Sequence, residues 1–505
     1  MAHSSAPNFQ RTQIFQQISF FRTSMYKVLL ISLMLLLSAC HTTSSPNETL
    51  SSWDSSARRE QASKNNIYVT LSAKQHPRIL QIYGGAYYNP KLERLLENIV
   101  RKLTVGLQNS YKSYSLTILN TQSVNAFALP NGSIYITRGM LTLANDSSEV
   151  AAILAHEIAH ITANHGILRL QKKAELKTTE RISSNLLSLS GEKIHKSIEN
   201  KRKLAQFSRN QELQADSIAL EMLKQAGYDP FSLPRFLQSM AAYSLFRSIP
   251  GSQNAPLGFL ITHPTTPQRI RLAIEKAHKI SSANTGNTDR DAFLKSIDGM
   301  IFGGSPHTGF VQNNQFIHPQ LGITFSVPQN FIIENSAHTV WASGPDKIAI
   351  RFDAIPHPAE ISASEYLQSG WLAGLDKSSV HPFIIQGLPG AHARARNAQW
   401  QFDVVVILFN NHVLRFLTAA PHDSQNFAEI AEKTVQSFRF LSSSQLKKLK
   451  PLRIRIVRVQ KGESVASLAK KMQNIPHNEK LFRILNSLSP SQALQTGAAV
   501  KIITQ

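Results

Sequence analysis

The sequence predicts a multidomain α+β protein, and three observations support this fold class. The chain has 505 residues, more than one domain usually contains, and its 42% apolar content is typical of a soluble globular protein. Several segments before residue 280 repeat apolar residues at helical spacing. From Phe316 onward, apolar and polar residues alternate as they do in strands, in the runs Ile323–Val327, Thr339–Ala342, Ile348–Phe352, Val404–Leu408 and His412–Thr418. We therefore expect a mainly helical domain with a small edge sheet, then an antiparallel-sheet domain of α+β type, and last a small strand–helix–helix–strand module.

The N-terminal residues predict an exported lipoprotein. Lys27 precedes the apolar run Val28–Leu37, which is too short to span a bilayer and is followed by small residues, as in a secretory signal peptide. Cys40 is the only cysteine, and the stretch Leu-Ser-Ala-Cys that it ends resembles the bacterial lipobox, so we expect lipidation of Cys40. A single cysteine also excludes an intramolecular disulfide and a thiolate zinc site.

This interpretation makes residues 1–40 the signal peptide and residues 41–66, rich in Ser, Thr and Asn, a flexible tether. His41 rather than aspartate follows the cysteine, which in enterobacterial lipoproteins accompanies sorting to the outer membrane. We expect a lipid-anchored protein on the periplasmic face of the envelope, in the outer membrane. The net charge of +22 suits an anionic partner such as nucleic acid, phospholipid or lipopolysaccharide, and a merely basic, solvated exterior is the alternative. Nucleic acid is excluded as a partner, because an exported chain would rarely meet it.

Folded structure is expected from about Ile67 onward. The central helix of this helical region is predicted over Glu149–Gly166. Apolar residues recur there at helical spacing. Asp146 and Glu149 fit a capping box at the start, and Gly166 fits a stop at the end. The sequence therefore predicts one continuous, half-buried helix.

This helix carries the motif HEIAH. His156 and His160 are four residues apart, so their imidazoles lie on one face and can bind one Zn²⁺. Glu157 is placed to take a proton from a water molecule on that metal. The alternative is two ordinary histidines on a half-buried helix. His165 lies on another side of the same helix, and we expect it to be a surface or packing residue.

A third protein ligand is expected from a second helix, because two histidines leave a catalytic zinc site short of donors. Ser208 and Gln211 fit a capping box at its start, and Gly227 fits its end. Glu212 and Asp216 share one face of this helix. Glu212 can bind zinc, while Asp216 can accept the free N–H of a ligand histidine. The alternative is an acidic face in solvent.

A hairpin is predicted just before the central helix. Two β-prone runs, Ala126–Leu129 and Ile134–Thr137, flank the turn Pro130-Asn131-Gly132. An edge strand at this place can pair with the backbone of an extended peptide. An ordinary hairpin that covers the core is the alternative.

Four motifs in fixed order, NAFALPNG, HEIAH, ELQAD and THPTTPQRI, resemble the HtpX/CAAX-prenyl-endopeptidase family of zinc metallopeptidases. The resemblance covers residues 67–280 and implies a mainly helical, zincin-type metalloprotease domain. Several relatives cross membranes, whereas this chain resembles a lipid-anchored periplasmic branch. Within the last motif, Thr266 fits a helix N-cap, with Pro267 and Arg269 as the first and third helical residues.

The resemblance implies a role for each motif residue. His156, His160 and Glu212 would bind one Zn²⁺ per chain, and Glu157 would be the catalytic base. Asp216 would support a ligand or donate a proton. We expect His263 to approach the fourth zinc position, where it would stabilise the oxyanion or block the metal; a satisfied loop histidine is the alternative.

The remaining segments are assigned by composition. Residues 167–207 are predicted to form a basic helical excursion, which is solvated, forms a lid over the cleft or faces the membrane. Residues 281–312 are predicted to be a linker with a short helix near Phe293–Ile301. Residues 313–445 would form an α+β module without a catalytic constellation. Residues 446–505 resemble a LysM-like βααβ module, which implies contact with peptidoglycan, while a purely structural cap is the alternative.

The function that follows is zinc-dependent hydrolysis of peptide bonds in the bacterial envelope. The substrates would be misfolded or stalled membrane and periplasmic proteins, a role that the family resemblance implies. One rival is an envelope chaperone or adaptor with a structural zinc site, and another is a peptidoglycan-binding protein. Glu157 argues against the first rival, because a structural zinc site has no use for a base. Sedimentation of residues 446–505 with purified peptidoglycan would test the second.

Overall fold

The computed structural model describes residues 70–107, 113–186, 190–247, 249, 258–282, 285–357, 361–472 and 475–505. The predicted signal peptide, Cys40 and the tether at residues 41–66 lie outside the described residues. The described residues contain helices and several antiparallel sheets, as a multidomain α+β protein should. Within these ranges, every helix is too short or too polar to cross a bilayer.

Helices dominate the first part of the chain. They are α1 (His76–Ile82), α2 (Pro90–Thr104), α3 (Arg138–Leu143), α4 (Ser147–Thr162), α5 (His165–Leu186), α6 (Ser190–Gln225), α7 (Ser232–Arg247), α8 (Gly258–Thr262), α9 (Pro267–Ile280) and α10 (Arg290–Ile297). A small sheet of β1 (Ser115–Leu119), β2 (Ala126–Ala128) and β3 (Ser133–Thr137) accompanies them. The predicted hairpin is confirmed, since β2 pairs antiparallel with β3. Strand β1 pairs parallel with β3 on its other side, which leaves β2 at the edge.

Helix α4 lies in the middle of the core. It is apolar on almost every side, and Val150, Leu154 and Ile158 are fully buried. An apolar circumference of this kind requires burial on all sides, and α2, α6 and α7 pack around it. At its start, the Asp146 side chain accepts a hydrogen bond of 2.8 Å from the Glu149 N–H, which satisfies one free donor of the first turn.

The predicted end of this helix is wrong. Helix α4 stops at Thr162, and Asn164 adopts a left-handed conformation with φ of 53°. Asparagine tolerates this conformation better than most residues. A new helix, α5, begins at His165, so Gly166 lies inside α5 rather than after α4. The turn changes the direction of every side chain from His165 onward.

The predicted start of the second helix is also wrong. Helix α6 runs continuously from Ser190, so Ser208 and Gln211 lie in its interior and form no capping box. Its end agrees better with the prediction, because Gly227 has φ of 76°, a conformation that glycine adopts without strain. The start of α9 is as expected, with the Thr266 hydroxyl accepting from the Arg269 N–H at 3.2 Å.

Residues 310–448 form two sheets with helices. The strands are β4 (Phe310–Gln312), β5 (Gln315–His318), β6 (Ile323–Ser326), β7 (Ile332–Asn335), β8 (Val340–Ser343), β9 (Ala349–Pro356), β10 (Leu375–Ile385), β11 (Leu388–Arg396), β12 (Trp400–Phe409), β13 (His412–Pro421) and β14 (Arg439–Phe440). The helices are α11 (Ala363–Gln368), α12 (Phe427–Gln436) and α13 (Ser443–Lys448). One sheet has the order β10-β11-β12-β13-β9-β8-β7, and the other β14-β6-β5-β4. Phenylalanines from both sheets share one core, where the rings of Phe325 and Phe352 are 4.9 Å apart.

The last residues have the predicted strand–helix–helix–strand order. They form β15 (Arg453–Arg458), α14 (Val465–Lys470), α15 (Asn478–Leu485) and β16 (Ala499–Thr504), with β15 antiparallel to β16. Their apolar residues continue the core of the helical region. Helix α10, within the segment predicted as a linker, buries Phe293, Leu294 and Ile297 in that same core.

Candidate metal centre

Four side chains from three parts of the helical region meet at one point. They are His156 and His160 on α4, Glu212 on α6, and His263, which follows α8. One nitrogen or oxygen atom of each lies within 4.8 Å of the corresponding atom of the others. Groups of this kind can hold a metal ion.

The two histidines of α4 are together because their spacing brings them onto one face. Their Nε2 atoms are 3.0 Å apart. The Glu212 carboxylate completes the group, with oxygens 3.4 Å from His156 Nε2 and 3.6 Å from His160 Nε2. Two imidazole nitrogens and one carboxylate oxygen are a donor set that catalytic zinc sites use. The residues present therefore fit a zinc ion.

The outer nitrogen of His156 faces an acid. His156 Nδ1 lies 3.0 Å from Asp216 Oδ1, although the contact is off the direction of the ring N–H, since Nδ1 has no well-aligned partner. Burial opposes ionisation of Asp216, but His156 and Arg269 outweigh it and lower the pKa of this carboxyl. Asp216 is therefore a carboxylate that favours a proton on Nδ1 and leaves Nε2 free.

Arg269 contacts both Asp216 and Glu212. Its guanidinium donates two hydrogen bonds of 2.8 Å to Asp216, and another of its nitrogens lies 3.0 Å from Glu212. The side chain is buried, with 4% of its surface exposed. Although burial alone would lower the pKa of Arg269, its bonds to Asp216 and the nearby carboxylates raise it. A permanent cation thus balances two buried acids.

Glu157 is buried beside the group and is only 2% exposed. Its Oε1 atom has no hydrogen-bond partner among the described residues, and it lies 3.6 Å from His263 Nε2. Burial raises the pKa of Glu157, while the nearby His263 and His156 oppose that rise. A carboxyl with a raised pKa and a free oxygen is suited to accept a proton.

His263 lies at the point that the other three donors face. Its Nδ1 atom is 3.2 Å from His156 Nε2 and 3.1 Å from both carboxylate oxygens of Glu212. The ring stacks on Phe259, with centroids 4.6 Å apart, and is 7% exposed. This residue is therefore close enough to occupy a fourth ligand position.

Two residues of the site were not predicted from the sequence. His165 is not at the surface, because the turn at Asn164 directs its ring inward until only 2% of the residue is exposed. Its Nδ1 atom is 2.9 Å from His160 Nδ1. Arg269 was recognised only as part of a helix start. A second histidine five residues after His160, and an arginine in the motif THPTTPQRI, were the available signals.

The helical region that carries these residues is similar to known proteins. Residues 88–277 match the model of Peptidase family M48. A beta-barrel assembly-enhancing protease of Yersinia pestis is 25% identical over 41% of this chain and 43% of its own length. The protein of the same description from Escherichia coli is 24% identical over 40% of this chain and 42% of its own length. The mitochondrial metalloendopeptidase OMA1 of Schizosaccharomyces pombe is 29% identical over 40% of this chain and 58% of its own length. The chain thus spans about half the length of the curated relatives it matches.

Proposed function

We propose that this chain, in which residues 88–277 are a domain of peptidase family M48, is a zinc-dependent endopeptidase of the bacterial envelope. The observation that carries the proposal is the meeting of His156, His160 and Glu212 beside the buried Glu157. The match to the family model rests on sequence, whereas the structure independently brings together donors from two different helices.

Zinc bound by His156, His160 and Glu212 would supply a Lewis acid that makes water nucleophilic near neutral pH. Glu157, whose Oε1 atom is free, would accept a proton from the attacking water and pass it to the departing amine. Asp216, held by Arg269, keeps the Nδ1 proton of His156 in place. Burial of all these groups strengthens their mutual interactions.

The substrate is a polypeptide that binds at the edge strand β2. The N–H of Ala128, in this strand, interacts with the Glu157 carboxylate, so the strand runs directly beside the base. Main-chain pairing would hold an extended peptide across the site regardless of its side chains. This mode of binding suits an enzyme that meets many different unfolded chains.

His263 would control whether water and substrate can reach the metal position. Of the two roles predicted for it, blocking the metal in a resting state is the one that its position supports, since its Nδ1 atom lies 3.2 Å from His156 Nε2. Stabilisation of an oxyanion would need the ring beside the substrate carbonyl instead.

The enzyme would work on misfolded or stalled proteins of the envelope. The descriptions of the relatives, one a beta-barrel assembly-enhancing protease and another a mitochondrial metalloendopeptidase, support this role. Export, lipidation of Cys40 and an outer-membrane location follow from the sequence pattern. Residues 313–445 would bind or orient partners.

The LysM-like module at residues 446–505 has two possible roles. Its strand–helix–helix–strand order is compatible with peptidoglycan binding, but its core is continuous with that of the helical region, which favours a structural cap. Sedimentation of the full chain with purified peptidoglycan separates them. A capping module leaves the chain in the supernatant.

A casein digest tests the enzymatic proposal. The purified full chain should release peptides, stop when a zinc chelator is added, and recover when zinc is restored. Loss of activity with chelator but no recovery with any divalent metal would argue for unfolding instead. A chain that binds zinc tightly yet releases no peptide from casein or from unfolded envelope proteins would support the chaperone or adaptor alternative.

A further inference from the structure

The second histidine of the HEIAH motif has its own buried partner. His160 presents Nε2 to His156 and Glu212, and Nδ1 to the ring of His165, with 2.9 Å between the two Nδ1 atoms. The His165 ring packs edge-on against that of His160, with centroids 4.8 Å apart and an angle of 74°. The arrangement parallels that of His156, whose outer nitrogen faces Asp216.

His165 is fixed from its far side by helix α6. Its Nε2 atom lies 3.1 Å from Gln214 Oε1, and its backbone carbonyl accepts a hydrogen bond of 3.0 Å from Gln211 Nε2. Both glutamines flank Glu212 in the sequence. The same segment of α6 thus provides one candidate metal ligand and holds the partner of another.

The hydrogen-bond roles along this chain of groups follow from elementary chemistry. Gln214 Oε1 is an acceptor, so His165 Nε2 carries the proton, and Nδ1 of a neutral His165 then has a lone pair. His160 must therefore donate its Nδ1 proton to His165, and its Nε2 lone pair points toward Glu212 and His156.

We propose that His165 is a positioning residue that fixes the tautomer and the ring orientation of His160 for metal binding. The inference rests on the proposed function, because it assumes that His160 Nε2 binds zinc. Under this proposal the two histidines of the HEIAH motif have different partners at Nδ1, the Asp216 carboxylate for His156 and the neutral imidazole of His165 for His160. A purely packing role would not place both ring nitrogens of His165 on polar partners.

Three substitutions of His165 separate positioning from packing. Asn places its side-chain oxygen near the position of Nδ1 and so keeps an acceptor for His160. Gln places its polar atoms near the position of Nε2, and Leu removes the acceptor altogether. The zinc dissociation constant of the purified full chain is measured by competition with a chromophoric chelator, and cobalt absorption spectra report the geometry of the bound metal.

We expect H165L and H165Q to bind zinc about 10- to 100-fold more weakly than the wild type, and H165N to stay within about threefold. The cobalt spectrum should change in H165L and remain that of the wild type in H165N. His278 is an exposed histidine of α9, so H278N controls for the loss of any imidazole. Zinc affinity equal to that of the wild type in H165L, or equal losses in H165N and H165L, would overturn the proposal.

Gln214 provides a second route if H165L does not fold. It is exposed, so Q214L should fold normally, and it should weaken zinc binding several-fold by releasing the far side of His165. Unchanged affinity in Q214L together with equal affinities in H165N and H165Q would contradict the inference. Because the readout is metal binding, the result is independent of whether the chain hydrolyses peptides.

Discussion

Arg269 donates two hydrogen bonds of 2.8 Å to the carboxylate of Asp216, and the same guanidinium reaches the backbone carbonyl of Pro264 at 3.0 Å. One buried side chain thus joins helix α6, which carries Glu212, to the loop that carries His263. The two-pronged geometry is specific to arginine, because an ammonium group cannot form two parallel bonds to one carboxylate. The position of the His263 loop therefore depends on this pair.

The first prediction is that R269K destabilises the protein although it keeps the charge. Losing one partner of a buried ion pair costs about 3–5 kcal/mol, and lysine restores only part of that. We expect the free energy of unfolding in urea to fall by roughly 2 kcal/mol or more. Arg271 is exposed and lies 3.8 Å from Glu275, so R271K should change stability by less than about 0.5 kcal/mol. Equal losses of stability in R269K and R271K would show that the paired hydrogen bonds from Arg269 to Asp216 do not stabilise the protein.

The second prediction concerns the base. E157Q should bind zinc as the wild type does, because Glu157 is not among the four metal-facing side chains, and should lose casein hydrolysis by a factor of about 10² or more. H156A should lose both zinc and hydrolysis. Metal content by atomic absorption and peptide release are measured on the same samples. Full hydrolysis by zinc-loaded E157Q would refute the assignment of the base.

Much of the site could be predicted because its geometry is local. Residues four apart on a helix share a face, so the pairs His156–His160 and Glu212–Asp216 follow from spacing alone. The edge hairpin follows from its Pro-Asn-Gly turn for the same reason. The helix cap at Thr266 is also a short-range signal and was found.

The position of His165, two strands and the burial of one short helix could not be predicted, because they depend on turns and packing that residue spacing does not show. Treating residues 149–166 as one helix placed His165 on the wrong side, whereas the left-handed Asn164 turns its ring toward His160. Strands β10 and β11 were missed because β10 has exposed residues along most of its length and lacks a clean alternation. The short helix in the predicted linker was expected, but its burial was not, because composition does not show that Phe293, Leu294 and Ile297 join the core of the helical region.

The third prediction is that H263A raises turnover. If the His263 ring occupies the fourth ligand position in the resting enzyme, its removal opens that position to water and substrate. We expect faster casein hydrolysis at saturating zinc, with H278A as the control for loss of a surface histidine. Slower hydrolysis would instead indicate that the ring stabilises the oxyanion. Unchanged turnover and an unchanged cobalt spectrum would show that His263 has neither role.

The fourth prediction arises from a buried lysine at the other end of the chain. Lys501, on β16, is fully buried and donates hydrogen bonds to the carbonyls of Thr142 and Ala144 at 2.8 and 2.6 Å. These carbonyls lie at the end of α3, where a helix has free acceptors and a negative dipole end. Glu149, in the first turn of α4, is the acid that most favours the charged form of Lys501.

Burial lowers the pKa of Lys501 to about 7, well below the value of 10.5 that an exposed lysine has. Between these two values the unfolded chain binds more protons than the folded protein, so this group makes the free energy of unfolding rise as the pH rises. The contribution is at most about 1.4 kcal/mol per pH unit. Burial also raises the pKa of Glu149, to about 7, and Lys501 opposes that rise.

In K501M, the free energy of unfolding should therefore no longer show the rise with pH that Lys501 causes. Without Lys501 the pKa of Glu149 rises further, which lowers the stability of the variant at alkaline pH and adds to the difference in the same direction. Urea unfolding of both proteins is measured at pH 7.5 and 9.5. The difference in the free energy of unfolding between the wild type and K501M should grow by roughly 2–3 kcal/mol from the lower to the higher pH. K480M, at a lysine exposed on α15, should follow the wild type at both pH values. A constant difference between wild type and K501M would mean that Lys501 keeps its proton throughout, and that the docking of β16 depends on a charged lysine.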